Sequence, residues 1–478
     1  MPDWLITGIE IAYALIVIGV ALATILSNRS VHKTLAWVII VVFLPVIGLI
    51  LYLFFGQDNR KVRLISKRSL KRIVEHPVPS SVKIEKKDFP EKYAPVINLM
   101  STLSPAASLF GANNIRIESS GAEFFLDLLK DIAQAKQYIN IQFYIFLDDS
   151  LGRFISDVLI ERASQGIKIK VLYDSMGCWN VKKSFFKRMQ NAGIDVESYL
   201  PVRFRRLARH VNYRNHRKLV IIDGRIGYLG GMNIAKRYLK GVRWGTWRDT
   251  NVRIEGHGVY GLEMSFLTDW CFAKPGKKEI RTEFTYPECN QNASNDNVML
   301  QIATTGPVGA WREMMQGYMH LFAQCKEYLY IETPYFIPTE SIRSTICNVA
   351  LSGCDVRLII PKRSDTRFVH AVSQSYLQDF LDAGVKVYSY KPGFLHSKLL
   401  VMDGDFVSIG STNIDCRSFE NNFEINAFIY DKRVAAEAQH QFIKDQNMSE
   451  RLYTRHWKKR SRWRKFKESV LRLLSPLL

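Results

Sequence analysis

Two short runs of residues in this sequence repeat the same chemical types at the same spacing. In each run a histidine is followed by a lysine two residues later, an aspartate seven residues later and an asparagine seventeen residues later. The runs comprise His216, Lys218, Asp223 and Asn233, and then His396, Lys398, Asp403 and Asn413. One such match is a weak signal, but two matches that agree at four positions indicate an internal duplication.

Two imidazoles, two ammonium groups and two amides around one point suit the making and breaking of a phosphodiester bond. One histidine can attack phosphorus while the other protonates the leaving alkoxide, and the lysines and asparagines can hold the non-bridging oxygens. The prediction therefore includes no cofactor and no metal, since no carboxylate cluster in the sequence indicates a two-metal site. All eight repeated residues form the candidate catalytic set.

The carboxylates are expected to have two different roles. A neutral imidazole nucleophile must be oriented through its other ring nitrogen, commonly by a carboxylate. Asp249 and Glu424, each downstream of one copy, are the candidate supporting carboxylates. Asp223 and Asp403 each precede a glycine, so bracing a turn is the favoured role for them and direct catalysis is the alternative.

The duplicated residues need a scaffold that presents both copies to one site. Around each copy, strand-like apolar runs alternate with helix-like segments in the order strand, helix, strand, helix, strand. We therefore predict an α/β fold of two pseudo-twofold-related halves, each a mixed sheet flanked by helices, at residues 108–275 and 296–448. Residues near 275–295 are predicted to link them. A histidine and a lysine two residues apart on one strand would share a face of the sheet.

The first 58 residues are predicted to form a transmembrane helical hairpin. Segments 4–26 and 35–55 are apolar, and each is close to the length of about 20 residues that spans a bilayer. Basic residues at 60–72 follow within a basic linker predicted for 59–107. The positive-inside rule then places the catalytic halves on the cytoplasmic side of a multi-pass membrane protein, with monotopic insertion as the alternative.

The net charge of +21 is concentrated in three stretches, at 60–72, 203–218 and 451–478. Basic patches beside apolar sequence favour anionic membrane lipids, rather than nucleic acid, as partners. In the C-terminal segment 449–478, apolar residues recur among basic ones at intervals of three and four, namely Trp463, Phe466, Val470, Leu473 and Leu477. This spacing predicts a basic amphipathic helix in the membrane interface, with docking on the protein's own core as the alternative.

The repeated pattern resembles the phospholipase D superfamily, whose members carry HxKxxxxDG followed by GGxN or GSxN twice. The likeness covers about residues 101–446. It implies a covalent phosphohistidine intermediate, with His216 of the first copy as nucleophile and His396 as acid and then base. Segment 332–338, the N-terminal apolar segment and the closing residues are similar to bacterial cardiolipin synthases. That resemblance implies phosphatidyl transfer between two phosphatidylglycerols at the cell membrane, giving cardiolipin and glycerol.

Other functions would use the same residues. A phospholipase D-type hydrolase would release phosphatidate, a related transferase would use another alcohol acceptor, and a membrane-tethered nuclease would cleave nucleic acid. A scaffold without activity is disfavoured because both copies keep the full residue set. The expected partners are phosphatidylglycerol and anionic membrane lipids, and the sequence makes no prediction of oligomeric state.

Overall fold

The computed structural model describes residues 2–26, 31–44, 46–52, 56, 82–104, 106–201, 213–274, 297–307 and 311–473. The basic segment 60–72, the predicted linker 275–295 and the basic residues at 203–212 lie outside them. The α-helices of the described residues are α1 (Asp3–Leu26), α2 (Val31–Phe43), α3 (Ile47–Leu51), α4 (Ala94–Leu103), α5 (Gly121–Ala133), α6 (Ser150–Ser164), α7 (Lys183–Asn191), α8 (Arg237–Lys240), α9 (Val259–Ala273), α10 (Glu313–Ala323), α11 (Glu340–Leu351), α12 (Arg367–Asp382), α13 (Cys416–Glu420), α14 (Lys432–Asn447), α15 (Thr454–Lys458) and α16 (Arg462–Leu473). Their β-strands are β1 (Leu109–Glu118), β2 (Tyr138–Phe143), β3 (Lys168–Asp174), β4 (Asp195–Tyr199), β5 (Arg214–Asn215), β6 (Leu219–Ile222), β7 (Ile226–Gly230), β8 (Thr246–Arg248), β9 (Asn251–Gly256), β10 (Val298–Thr305), β11 (Tyr328–Glu332), β12 (Phe336–Ile337), β13 (Asp355–Pro361), β14 (Lys386–Tyr390), β15 (Gly393–Leu395), β16 (Leu399–Met402), β17 (Phe406–Gly410), β18 (Ile414–Asp415), β19 (Asn422–Tyr430) and β20 (Ser449–Leu452).

One large mixed sheet runs through both halves of the chain. Its order is β20-β14-β13-β11-β16-β17-β19-β10-β1-β9-β7-β6-β2-β3-β4. Outward from the antiparallel β1–β10 pair, the order β9-β7-β6-β2-β3-β4 on one side matches β19-β17-β16-β11-β13-β14 on the other. The outer strands β2, β3 and β4 are mutually parallel, as are β11, β13 and β14. The predicted fold class, two pseudo-twofold-related α/β halves, is confirmed.

Polar N-caps set where several of the covering helices begin. Ser120 and Glu123 form a capping box at the start of α5, and Asp149 accepts backbone N–H bonds at the start of α6. In the second half, Thr339 and Asp431 cap α11 and α14 in the same way. Each cap satisfies donors that the first helical turn leaves unpaired, a contribution of about 0.5–2 kcal/mol.

The hydrophobic core continues from one half into the other. Side chains of α9 and α14, such as Leu262 and Phe442, share one buried cluster with strand residues of both halves, such as Ile254 and Ile429. Two further clusters lie mostly in the first and the second half, respectively. The shared cluster fixes the halves relative to each other, and a site that draws side chains from both halves requires this.

Of the two N-terminal apolar segments, the first is a helix over nearly its predicted extent and the second is not. The first contains a stretch, Asp3–Ala23, that is long and apolar enough to cross a membrane. The second, predicted as one helix over 35–55, is divided into α2 and α3, and Val46 at the break has a φ of 64°. A proline stands at position 45 of the sequence, and proline lacks the N–H that continues a helix. α1 packs against α2 beside the buried ring of Trp37.

Two predicted boundaries move in the structure. The segment 59–107, predicted as a linker, contains α4, whose Val96, Ile97 and Met100 are buried in the core of the second half. The C-terminal segment 449–478 begins with β20, which pairs antiparallel with β14 and so belongs to the sheet. β20 is an edge strand, and edge strands carry charged residues that hide the apolar pattern of a strand.

Two buried ion pairs lie where the halves meet. Arg217 pairs with Asp269 at 2.8 Å and also donates to the carbonyl oxygen of Glu424 in the second half. Arg248 of the first half pairs with Asp445 of the second at 2.9 Å, and the side chain of Asp445 is fully buried. Removing one partner of such a pair leaves an uncompensated charge in the core.

We expect Asp445→Asn to lower the free energy of unfolding by about 3–5 kcal/mol, because the buried charge of Arg248 then loses the carboxylate that accepts its hydrogen bond. Chemical denaturation of the detergent-solubilised protein measures this loss. Asp379→Asn is the matched control, since its carboxylate meets Arg343 and Arg472 at the partly exposed surface and should contribute about 0–1 kcal/mol. Equal losses in the two variants would contradict the role given to burial.

Candidate active site

Each candidate histidine lies in an extended link between two strands. His216 lies between β5 and β6, and His396 lies between β15 and β16. The prediction that the histidine and lysine sit on a strand is therefore wrong. Both residues fall after one strand ends and before the next strand begins. The alternation of side chains is nevertheless kept: His216 bonds Glu424, whereas the next residue, Arg217, bonds Asp269.

The backbone that leads to each histidine pairs with the opposite half. β5 pairs in parallel with β19, and β15 pairs in parallel with β8. The amide of His216 donates to the carbonyl oxygen of Phe423 at 2.9 Å, and the amide of His396 donates to that of Arg248 at 2.6 Å. Each histidine is thus supplied by one half and held against a strand of the other.

The two supporting carboxylates orient the histidines crosswise. Glu424 accepts from Nδ1 of His216 at 2.9 Å, and Asp249 accepts from Nδ1 of His396 at 2.6 Å. Both carboxylate side chains are fully buried. The sequence identifies these two residues as supports, but only the pairing between halves shows which histidine each one meets. With Nδ1 donating to a carboxylate, Nε2 of each ring is the atom left for chemistry.

Burial and neighbouring charges set the protonation of this cluster. Burial lowers the pKa of His216 to about 4, against the opposing charge of Glu424. Burial and the ammonium of Lys398 likewise lower the pKa of His396 to about 4. Although burial alone would raise them, the pKa values of Asp249 and Glu424 are held below their usual range by the lysines and histidines beside them. Near neutral pH both imidazoles are therefore neutral and both carboxylates are ionised.

Lys218 and Lys398 contact the histidines of their own copies. Both are buried, and each donates to the main-chain oxygen of its own histidine. Burial lowers the pKa of Lys398 to about 8 and that of Lys218 well below its usual range, and the charge of Lys398 contributes to the shift at Lys218. Two ammonium groups that repel each other favour an anion bound close to both.

A cavity of about 390 Å³ opens over this cluster and is lined by both histidines and both asparagines. Asn233 accepts from the amide of Ile145 at 3.0 Å and donates to the hydroxyl of Tyr238 at 2.9 Å. Its side-chain amide has a second N–H to offer. Within the described ranges, no group of three or more His, Cys, Asp or Glu residues is placed to hold a metal ion.

Asp223 and Asp403 have structural contacts instead. Each accepts the N–H groups of three consecutive residues where β2 or β11 begins, namely Lys136, Gln137 and Tyr138, or Lys326, Glu327 and Tyr328. Both aspartates have a φ near 50°, as turn residues with short polar side chains can. Neither lines the cavity over the histidines. These contacts support turn bracing over direct catalysis.

Two arginines outside the eight predicted catalytic residues, Arg237 and Arg417, line the same cavity. The sequence contains a signal for them, because in each copy the arginine follows the repeated asparagine by four residues. Aromatic rings also border the histidines: the ring centroid of Trp247 is 5.6 Å from that of His396, and that of Tyr144 is 5.1 Å from that of His216.

Two family models match this chain. A family model described as "Cardiolipin synthase, PLD-like domain" matches residues 128–270 and 318–446, and one described as "Phospholipase_D-nuclease N-terminal" matches residues 14–57. The chain belongs to the cardiolipin synthase family of the phospholipase D superfamily.

Relatives in this family match nearly the whole chain. The major cardiolipin synthase ClsA of Bacillus subtilis is 37% identical over 462 residues, which cover 94% of this chain and 95% of that protein. A cardiolipin synthase of Staphylococcus aureus is 37% identical over 464 residues, covering 95% and 93%. The crystal structure of phosphatidylserine synthase from Haemophilus influenzae superposes with a TM-score of 0.59 at 17% identity, over 80% of this chain and 97% of that one, and shows the shared fold.

The lowered histidine pKa values make the stability of this cardiolipin synthase family member depend on pH. A histidine has an ordinary pKa of 6.5, and both site histidines fall to about 4 on folding. Below pH 6.5 the unfolded chain therefore binds protons that the folded site does not, so their contribution is complete above pH 6.5 and is lost as the pH falls towards 4. The melting temperature of the double variant His216→Gln/His396→Gln should fall less over this window than that of the wild type. An equal fall in both proteins would contradict neutral buried imidazoles.

Proposed function

We propose that this chain, a phosphatidyltransferase by family, transfers the phosphatidyl group of one phosphatidylglycerol to another and so forms cardiolipin and glycerol. The observation that carries the proposal is the pair of imidazoles in one cavity, each held through Nδ1 by a buried carboxylate of the opposite half. The match to cardiolipin synthases over nearly the whole chain supports the identity of the lipids. A helix apolar enough to cross a membrane supports access to them.

In the first step, Nε2 of His216 attacks phosphorus and the bond from phosphorus to the headgroup glycerol oxygen breaks. His396 gives its proton to the leaving oxygen. The low pKa of His396 does not prevent this, because a phosphodiester anion bound beside Lys398 offsets the charge of the ammonium and raises the pKa of the imidazole. The product is a phosphatidyl group on His216 and free glycerol.

The second step reverses the first with a new alcohol. A hydroxyl of the second phosphatidylglycerol gives its proton to His396, its oxygen bonds to phosphorus, and the bond from phosphorus to His216 breaks. The lysines, together with Asn233 and Asn413, stabilise the charge on the non-bridging oxygens in both steps. One phosphodiester replaces another, so the reaction needs no nucleotide.

Incubation of the purified protein with phosphatidylglycerol vesicles, without nucleotide or added metal, tests the proposal. We expect cardiolipin and glycerol in equal amounts. Phosphatidate as the lipid product would make the protein a hydrolase, and a phosphatidyl ester formed only with a different added alcohol would make it another transferase. Cleavage of DNA, with no change in the lipids, would favour the tethered nuclease.

The assignment of His216 as nucleophile has its own test, a phosphatidyl ester of p-nitrophenol. This leaving group departs without an acid catalyst, so His396→Gln should still release about one equivalent of p-nitrophenol and then stop, with the lipid left on the protein. His216→Gln should show no such burst. Intact-protein mass spectrometry identifies the adduct, and a burst confined to His216→Gln would make His396 the nucleophile.

We also propose that the C-terminal helix α16 lies on the membrane that holds the substrates. Its basic side docks on α12, where Arg464 meets Gln374 at 2.7 Å and Arg472 meets Asp379 at 3.2 Å. Three residues of the apolar stripe, Trp463, Phe466 and Val470, remain exposed, Trp463 by 74%. The helix therefore docks on the protein through its basic face. Its apolar face is left for contact with lipid. The last residue of the predicted stripe, Leu477, lies outside the described residues.

Two cysteine variants test this placement together with the cytoplasmic side proposed for the catalytic halves. Phe466→Cys lies on the exposed stripe of α16, and Phe154→Cys is a control exposed on α6 of the first half. In intact cells a membrane-impermeant thiol reagent should not label Phe154→Cys, and it should label it after permeabilisation.

After reconstitution, a fluorophore at Phe466→Cys should be quenched by lipids with doxyl-labelled chains, and one at Phe154→Cys should not. The unsubstituted chain, labelled in parallel, corrects for native cysteines; equal quenching at both sites would contradict the membrane contact of α16.

A further inference from the structure

Arg237 and Arg417 occupy equivalent places in the two halves. Each follows its repeat histidine by the same number of residues, and each lines the cavity over the catalytic cluster with its side chain half-buried. Neither forms an ion pair with a carboxylate among the described residues. By contrast, the buried arginines Arg217 and Arg248 each have an aspartate partner.

The cavity arginines are held by contacts that leave their charge available. The guanidinium carbon of Arg237 lies 4.7 Å from the ring centroid of Trp247, and its Nε is buried without a hydrogen-bond partner in the described part of the chain. Arg417 lies within electrostatic range of a second cation, Arg214, whose pKa is lowered by burial despite Asp174. Two carboxylates, those of Asp365 and Asp415, also line the cavity, but neither forms an ion pair with these arginines in the described part of the chain. A half-buried guanidinium without an ion-pair partner is suited to bind an anion of the substrate.

The two arginines lie on different sides of the reacting centre. Trp247, on which Arg237 stacks, has its ring centroid 5.6 Å from that of His396. Arg417 acts on the pKa of Tyr144, whose ring centroid is 5.1 Å from that of His216. Arg237 therefore belongs to the His396 side of the cavity and Arg417 to the His216 side.

The proposed transfer makes these two sides chemically different. With His216 as nucleophile, an in-line displacement places the leaving or entering oxygen opposite it, next to His396. An acceptor phosphatidylglycerol brings to this side a second phosphodiester, joined to the attacking oxygen through one glycerol and unchanged by the reaction. Water and free glycerol bring no such anion.

We propose that Arg237 binds the non-reacting phosphodiester of the acceptor lipid and thereby favours transfer over hydrolysis. This assignment rests on the proposed function. The cation–π contact with Trp247 restrains the guanidinium, so its N–H groups can meet two phosphate oxygens with a smaller loss of side-chain entropy. Arg237 is thus a residue for acceptor specificity, distinct from the groups that touch the reacting phosphorus.

The test compares three products made by the same protein in phosphatidylglycerol vesicles: cardiolipin, phosphatidate, and phosphatidylglycerol that has incorporated labelled glycerol. In Arg237→Met the ratio of cardiolipin to phosphatidate should fall about tenfold or more, as for the loss of one charge-assisted hydrogen bond. Glycerol exchange should change less than twofold, because free glycerol carries no phosphate. Arg237→Lys should recover part of the ratio.

Arg417→Met is the matched control, the same change on the opposite side of the cavity. It should leave the ratio of cardiolipin to phosphatidate within twofold, whatever it does to the overall rate. A ratio of cardiolipin to phosphatidate that falls in Arg417→Met and not in Arg237→Met would overturn the assignment. Glycerol exchange that falls in Arg237→Met as much as cardiolipin formation does would also overturn it. Wild-type protein that neither exchanges glycerol nor forms cardiolipin would instead overturn the proposed function itself.

Discussion

The crosswise hydrogen bonds between imidazole and carboxylate are the constraint on which the rest of the structure depends. His216 is held by Glu424 and His396 by Asp249, so neither half contains a complete site. The halves must therefore meet in a fixed register. The antiparallel β1–β10 pair, the shared core and the parallel pairing of β5 with β19 and of β15 with β8 all serve that requirement.

Burial gives the site its chemical properties at a cost in stability. Two lysines and two histidines are clustered with two buried carboxylates. Removal from water lowers the pKa values of all four bases. The carboxylates offset part of the repulsion, and a bound phosphodiester would offset more. In a site with this balance, a bound anion would relieve an electrostatic repulsion already present in the fold.

The two halves of the site are similar in backbone and different in detail. Ser411 donates to Glu424 in the second half, whereas a glycine stands at the equivalent position 231, where any Cβ would collide with the carboxylate of Asp249. His396 is bordered by Trp247 and His216 by Tyr144. A duplicated scaffold therefore provides two imidazoles in like positions, and the residues around them make the two positions chemically different.

The sequence by itself determined the duplication, the α/β class and the residue types of the site, because each repeat is a local pattern whose spacing is carried by the covalent chain. It also indicated Asp249 and Glu424 as supports, and it favoured a turn-bracing role for Asp223 and Asp403. Only the tertiary structure decided which carboxylate meets which histidine. Those partners are 208 and 147 residues apart, and no local pattern encodes a pairing between strands of different halves. The buried helix α4 was missed for the same reason, since the core that it packs against lies far along the chain.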